Sequence, residues 1–586
     1  MPGLRTPDRN RQARLLADEL RAQQQEFEKV LSAPAIKLRE QRQLFLARFH
    51  GMQDEQGNLV LWFSDYGLPR RHSLLTAFVA FNQAHLNPAG WSDLPYRELR
   101  DNANYPTELT SLTTWKAQAD AQGRPGYLLL FRGATPELLN FLRRHPQSLV
   151  CLGPPEPPLA YLSNLREVVL QLSPNSVAGR WLDLSLDNPK WDPQLVPHAP
   201  DNYLTIATTL AIHGEAVVQG PPGTGKTHLM ATLAAQFLAQ GKSVLATALT
   251  NRALLELAEK EPMALARKQQ RVFKSNLSED ERRAAPGLLS AQEYEVRPGT
   301  LLLNTYFTMS DRARKQADAG LFDVVIVEEA SQAFLPTLAA ARSLGKQCLI
   351  VGDPAQLPPI LSLEIGESQP ALAAVRDGLL TVCRHASISS LLLTDTFRLT
   401  PRAARYTNHF YNGQLRSVSP LSLPLNTSTE PAFSPWFRTE GGPSLVLAAM
   451  PNGQVLVPPA IKIRLKAVIQ VLLEANPKFQ IAVLTYYVEA VTDLQTALHD
   501  LPTSKHPVLI ESVSRVQGLT VDICFFIVPH DRIARPLNQH VFNVATSRAR
   551  MHTVIISDAA ILTYRTLHPN VRSYLQMLQA EPPEGD

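Results

Sequence analysis

The sequence predicts an α/β chain with two tandem parallel-sheet domains, preceded by a helix and a small β-rich module. Three observations predict it. From about residue 200, short apolar runs rich in β-branched residues alternate with helical stretches: EAVVQ, SVLAT, DVVIV and QCLIV, then QIAVL, ICFFIVP and TVIIS. Strands that alternate with helices form parallel sheets covered on both faces. Residues 43–64 (QLFLARFHGMQDEQGNLVLWFS) instead place two apolar runs around DEQGN, a hairpin signal. Thr6-Pro7 reads as an N-cap with proline at the first helical position, and Leu16, Leu20, Phe27 and Leu31 follow at helical spacing up to Pro34.

In chain order, residues 1–42 are expected to form a one-sided helix and 43–150 a small barrel-like module. Residues 151–198 read as a linker with some helix, because GPPEPP (153–158) and LDNPKWDPQLVPHAP (186–200) break any period. The first α/β domain is expected over 199–380, with a charged insertion at 258–298 that reads as helical. The second is expected over 381–575, with a Pro-, Ser- and Thr-rich surface loop at 417–443 and a tail at 576–586.

Composition excludes other classes. Of 586 residues, 45% are apolar and 19% charged, which is neither a disordered tail nor a coiled coil. The 46 prolines and 28 glycines show no Gly-X-Y period. No apolar run approaches the ~18 residues of a membrane helix, and the N-terminus carries charges where a signal peptide needs an apolar stretch. A cytoplasmic protein with no membrane partner is expected. Cys151, Cys348, Cys383 and Cys524 are scattered, which argues against a zinc ribbon or a clustered iron–sulfur site and for buried reduced thiols. The net charge of +4 equals the excess of ten Lys/Arg over six Asp/Glu in residues 1–50, too little to identify a polyanionic partner.

Three motifs carry chemistry. Gly220-Pro221-Pro222-Gly223-Thr224-Gly225-Lys226-Thr227 is a complete P-loop between the strand EAVVQ and the helix THLMATLAAQFLAQ. Its amides and the helix N-terminus suit phosphates, Lys226 the β/γ-phosphates of ATP, and Thr227 a Mg²⁺ ion. Val324–Val327 is a buried strand ending in Glu328-Glu329, where such a domain wants a Mg²⁺-side carboxylate and a base for the attacking water. Another apolar strand ends in Gly352-Asp353-Pro354-Ala355-Gln356, and Gln356 is placed to reach a γ-phosphate or its water.

GPPGTGKT, EEASQA and VGDPAQLPPI, in this order and at these gaps, resemble helicase superfamily 1, most of all the branch containing the nonsense-mediated-decay helicase and its bacterial relatives. The resemblance covers about 200–560 and implies two RecA-like P-loop domains with ATP and Mg²⁺ between them. Arg398, in TFRLTP, and Arg548, in NVATSRAR, match the family's arginine fingers, and Phe397 its base-stacking aromatic. Gly518 falls in the glutamine–glycine element SVSRVQG, a nucleotide contact. Thr250 and Asn251, Thr305, Thr485 and Tyr486, and Ser512 match positions that face single-stranded DNA or RNA, with 5′-to-3′ movement implied. The N-terminal helix and module are similar in layout to that branch's stalk and barrel; residues 1–195 are also the candidate surface for a protein partner.

Departures from the pattern are few. Glu328 replaces Asp, Thr396 replaces Gln, Tyr486 replaces Pro, and Thr520 stands where an acid often meets the ribose. Counting back from the P-loop puts Tyr203 where an adenine-reading Gln is expected, so relaxed base selectivity is expected. A nucleotide-regulated switch or assembly protein that unwinds nothing is the alternative. The short stretch after the second domain leaves no expectation of a C-terminal nuclease.

Overall fold

The computed structural model describes residues 5–53, 58–64, 68–69, 74–79, 93–101, 103–117, 119, 123, 126–146, 148–184, 192–292, 294–363, 365, 369–385, 387–419, 436–450, 456–498, 501, 508–530 and 532–581. They divide into two compact units, residues 1–18 with 160–586 and residues 19–159. The division falls inside the helix Arg9–Ser32, which the sequence reading kept in one body. Its start is held by the end of the helix Val177–Leu182: Thr6 Oγ1, just before it, and Gln12 Nε2 each donate to Leu182 O at 2.7 Å, and Arg9 pairs with Asp183 at 2.8 Å.

In the smaller unit six antiparallel strands close a barrel: β1 (Phe45–Gln53), β2 (Leu59–Phe63), β3 (Leu74–Val79), β4 (Asn104–Ala117), β5 (Tyr127–Arg132) and β6 (Leu149–Gly153), in the order β1-β2-β5-β4-β3-β6. Alternate residues such as Phe45, Ala47 and Phe49, then Leu59, Leu61 and Phe63, fill the interior, as the period of two requires. The helix Pro136–Arg144, N-capped by Thr135, adds Leu138 and Leu142 to that core from one face. Residues 54–57 of the DEQGN signal lie outside the described residues, but β1 and β2 pair antiparallel on either side.

The larger unit holds two parallel sheets. The first joins β7 (Gln194–Val196), β8 (Glu215–Gln219), β9 (Val244–Ala248), β10 (Val272–Lys274), β11 (Leu288–Ser290), β12 (Leu301–Thr305), β13 (Phe322–Val327), β14 (Gly345–Gly352) and β15 (Ser390–Leu393), in the order β11-β10-β12-β9-β13-β14-β8-β15-β7. A two-stranded ribbon of β16 (Asp395–Thr396) and β17 (Arg416–Ser417) follows. The second sheet joins β18 (Gly442–Leu447), β19 (Ile481–Thr485), β20 (Leu509–Ser512), β21 (Val521–Ile527) and β22 (Ala549–Ser557), in the order β18-β22-β21-β19-β20. Central strands such as β9, β13 and β19 are apolar along almost their whole length because helices cover both faces.

Three expectations change. The first sheet takes in β7 and β15, outside 199–380, through long-range pairing that no local period announces. The charged insertion is not only helical: β10 and β11 extend the sheet edge, and Lys274, fully buried, is neutralised by Glu281 at 3.0 Å. The helix Pro569–Ala580 runs into the expected tail, and Glu581 pairs with Arg402 and with Arg405, the latter at 3.0 Å. Of the 417–443 loop, residues 420–435 lie outside the described residues. All four cysteines are buried and free. Among the described residues no helix is long and apolar enough to cross a membrane.

Candidate active site

Parallel strands gather their carboxyl ends on one edge, where ligands of such sheets bind. The P-loop leaves β8 there. Gly225 (φ +77°) is the N-cap of the helix Lys226–Ala239 and Gly223 (φ +76°) precedes it, both in the left-handed region that a side chain disfavours. A Cβ on Gly223 would also lie 2.3 Å from Arg398 Cβ. The Lys226 ammonium donates to Gly220 O and, at 3.2 Å, to Pro221 O. Burial lowers its pKa to about 8, against the opposing pull of Asp353.

The acid wall stands at the end of β13. Thr227 Oγ1 donates to Glu328 Oε1 at 2.9 Å, and Tyr306 OH donates to Glu328 O at 2.6 Å. Glu328 is only 5% exposed, and its Oε2 has no hydrogen-bond partner among the described residues. Burial, then the charge of Glu329, raises its pKa to about 8. Burial first and Glu256 second raise Glu329 as well, and Glu329 sits at φ +51°, a strained conformation for a non-glycine residue.

Asp353, after β14, is the next acid inward. Its Oδ2 accepts from Gln356 Nε2 and Tyr411 OH, both at 2.7 Å, and its Oδ1 from Ala355 N at 3.0 Å. The opposing wall comes from the crossover after β16 and from the second sheet. Thr396 Oγ1 donates to Pro222 O at 2.8 Å and Phe397 N to Gly223 O at 2.9 Å, so the crossover is laced directly onto the P-loop. Arg398 Nη1 donates to Ser547 O at 3.2 Å. Arg548, 1% exposed, donates to Val544 O, Val516 O and Leu519 O at 2.9–3.4 Å. Burial lowers the pKa of both arginines. Gln517 Nε2 donates to Ser331 Oγ at 3.0 Å, and Gly518 (φ +80°) leaves 3.3 Å between a would-be Cβ and Glu329 Oε1. Between the walls lies a cleft of about 400 Å³ lined by the P-loop, both glutamates, Gln356, Phe397, Arg398, Gly518, Thr520 and Arg548.

Phe397 is 40% exposed in this cleft, with the His198 ring edge-on at 4.8 Å. Tyr203 is not among the lining residues; it packs half-buried against the first-sheet core. Sequence reasoning named neither His198 nor Glu256, which also lines the cleft beside Lys260. An acid five residues past Asn251 was the available signal for Glu256.

The six strand-facing candidates all fall at carboxyl ends of strands. Thr250 caps the helix Asn251–Glu259, accepting from Ala253 N at 3.2 Å, and Thr305 caps Tyr306–Gln316, accepting from Thr308 N at 3.4 Å. Asn251 is exposed and Tyr486 half-buried, edge-on to Tyr487 at 5.1 Å. Thr485 and Ser512 are buried; Ser512 Oγ meets Ser514 Oγ at 3.3 Å, and Thr485 Oγ1 has no partner among the described residues.

Two families, each described as an AAA domain, match residues 205–368 and 378–560. DNA-binding protein SMUBP-2 of Mesocricetus auratus is 25% identical over 473 residues, covering 66% of this chain and 46% of that protein. The DNA replication ATP-dependent helicase/nuclease JHS1 of Arabidopsis thaliana is 23% identical over 454 residues, covering 68% of this chain and 31% of that protein. The chain thus spans about half the length of SMUBP-2 and less of JHS1. An arterivirus nonstructural protein 10 (helicase) structure overlaps 88% of this chain and 76% of its own at 12% identity and a TM-score of 0.35. The two AAA-domain matches in tandem, together spanning more than half of the chain, and the similarity to SMUBP-2 and JHS1 place the chain in helicase superfamily 1.

Proposed function

We propose that this chain is an ATP-driven translocase or helicase on single-stranded DNA or RNA, hydrolysing ATP with Mg²⁺ in the cleft between its two sheets. The observation that carries the reading is the opposition of a buried acid wall to a buried arginine wall across about 400 Å³. An anionic polyphosphate with a divalent cation satisfies both walls at once.

Lys226 and the P-loop amides hold the β/γ-phosphates. The unpartnered Glu328 Oε2 beside the Thr227 hydroxyl fits a Mg²⁺ ion, which takes few protein ligands. When bound, that ion neutralises charge on the phosphate oxygens. Glu329 accepts the proton of the attacking water, and Gln356 orients it. Arg398 and Arg548 leave their main-chain acceptors to meet charge developing on the γ-phosphate. Phe397 stacks on the base, with Gly518 alongside the nucleotide. Thr250, Asn251, Thr305, Thr485, Tyr486 and Ser512 hold the strand through hydroxyls, amides and one ring without reading sequence. Movement runs 5′ to 3′, and residues 1–195 modulate strand or partner binding. Lys226, Glu328, Glu329, Gln356, Arg398 and Arg548 all line the cleft, which favours the motor over the switch. Glu329→Gln should bind ATP and stall; wild-type turnover by this variant overturns its role as base.

A further inference from the structure

Resting on that reading, the structure points to a group that sets the arginine wall without touching nucleotide. Tyr411 follows the 3-10 turn Asn408–Phe410 and is 3% exposed. Its ring packs with Leu399, Ala403, Ala404 and Leu415 in a small core against which Ala355 also rests. Its hydroxyl donates to Asp353 Oδ2 at 2.7 Å and accepts from Asn543 Nδ2 at 2.9 Å. Asn543, fully buried, also donates to Ala355 O at 2.9 Å. Asp353 and Ala355 belong to the first-sheet loop that carries Gln356; Asn543 belongs to the helix Gln539–Thr546, which Ser547 and Arg548 directly follow. One phenol therefore joins the loop beside the P-loop to the helix that delivers an arginine.

We propose that Tyr411 is a positioning residue for hydrolysis: by bonding Asp353 and Asn543 together it fixes where the helix Gln539–Thr546 presents Arg548 to the cleft. The hydroxyl is used in both senses, as donor to a carboxylate and acceptor from an amide. Phenylalanine keeps the ring and supplies neither. Asp353 takes three donors in all, and the phenol, with its pKa raised by burial, keeps its proton. Displacing either partner leaves the other with an unmet buried group, so loop and helix move as a pair.

The test is Tyr411→Phe in the full chain, which keeps the ring and removes the oxygen. Two buried hydrogen bonds are lost, so kcat for ATP should fall roughly tenfold to hundredfold while KM for ATP stays within about twofold. In a double-mutant cycle with Arg548→Ala, the Tyr411→Phe loss should largely vanish, because the group it positions is already gone. Unchanged kcat, a proportional rise in KM, or additive losses would each overturn the inference. A wild type that hydrolyses no ATP sinks the function reading separately. The tie is then read by amide exchange over Gln539–Thr546, which should quicken in Tyr411→Phe and overturns the inference if it does not.

Discussion

On one wall of the cleft Glu328 keeps a buried carboxylate oxygen without a partner among the described residues; on the other Arg548 gives its guanidinium to three main-chain carbonyls. Both walls are desolvated, and burial pushes each toward its neutral form. The arginines already have neutral acceptors to rest on. On the acid side Thr227 donates to Glu328, Glu329 repels it, and Lys226 attracts both glutamates. The acid wall is thus the one built around a missing charge, whereas the arginine wall already rests on main-chain acceptors.

The comparison can be broken most sharply by removing a cation from each side. Lys226→Ala and Arg548→Ala should each lower ATP turnover by ~10³-fold, the first by losing phosphate charge, the second by losing transition-state charge. Nucleotide affinity separates them: binding measured by fluorescence titration should weaken in Lys226→Ala and hold in Arg548→Ala. Equal affinity loss in both would show that the arginine acts in ground-state binding.

The acid wall makes a prediction of opposite sign for stability. The Glu328 pKa is raised from 4.5 to about 8 on folding. The folded state therefore binds more protons than the unfolded one between those values. Its contribution to stability falls as pH rises through this window and levels off above it. Glu328→Gln removes that loss. The nucleotide-free variant should melt above the wild type at pH 8, with the gap shrinking toward pH 5, while its ATP turnover drops by ~10²-fold. A wild type that melts higher at pH 8 would mean Glu328 is already neutralised by the protein.

A smaller effect concerns the base. Phe397→Leu should raise KM for ATP about three- to tenfold through lost stacking. Tyr203→Phe, away from the cleft lining, should change it by less than about twofold, with GTP still used. The reverse order in steady-state assays would return base reading to Tyr203.

Much of this site was legible because its chemistry is local. GPPGTGKT and the VVIVEE strand end each carry strand, turn and reactive group within a few residues. The barrel showed itself only as a hairpin, since its closure pairs β1 with β6, about a hundred residues on. The three-residue strands β10 and β11 are too short for a period, and their charged context imitates an exposed helix. Tyr203 was placed by counting through a helix whose face the count could not fix. The Asp353–Tyr411–Asn543 tie joins positions 58 and 132 residues apart, which no spacing rule reaches.

On the proposed reading the cleft hydrolyses ATP in response to a strand held along the carboxyl edge of both sheets. The most direct measurement is steady-state ATP turnover of the full chain with Mg²⁺, titrated with single-stranded DNA and RNA homopolymers, beside Lys226→Ala. Turnover that rises with at least one homopolymer and is absent in Lys226→Ala is the predicted result. Turnover indifferent to every strand, or equal in Lys226→Ala, would contradict it.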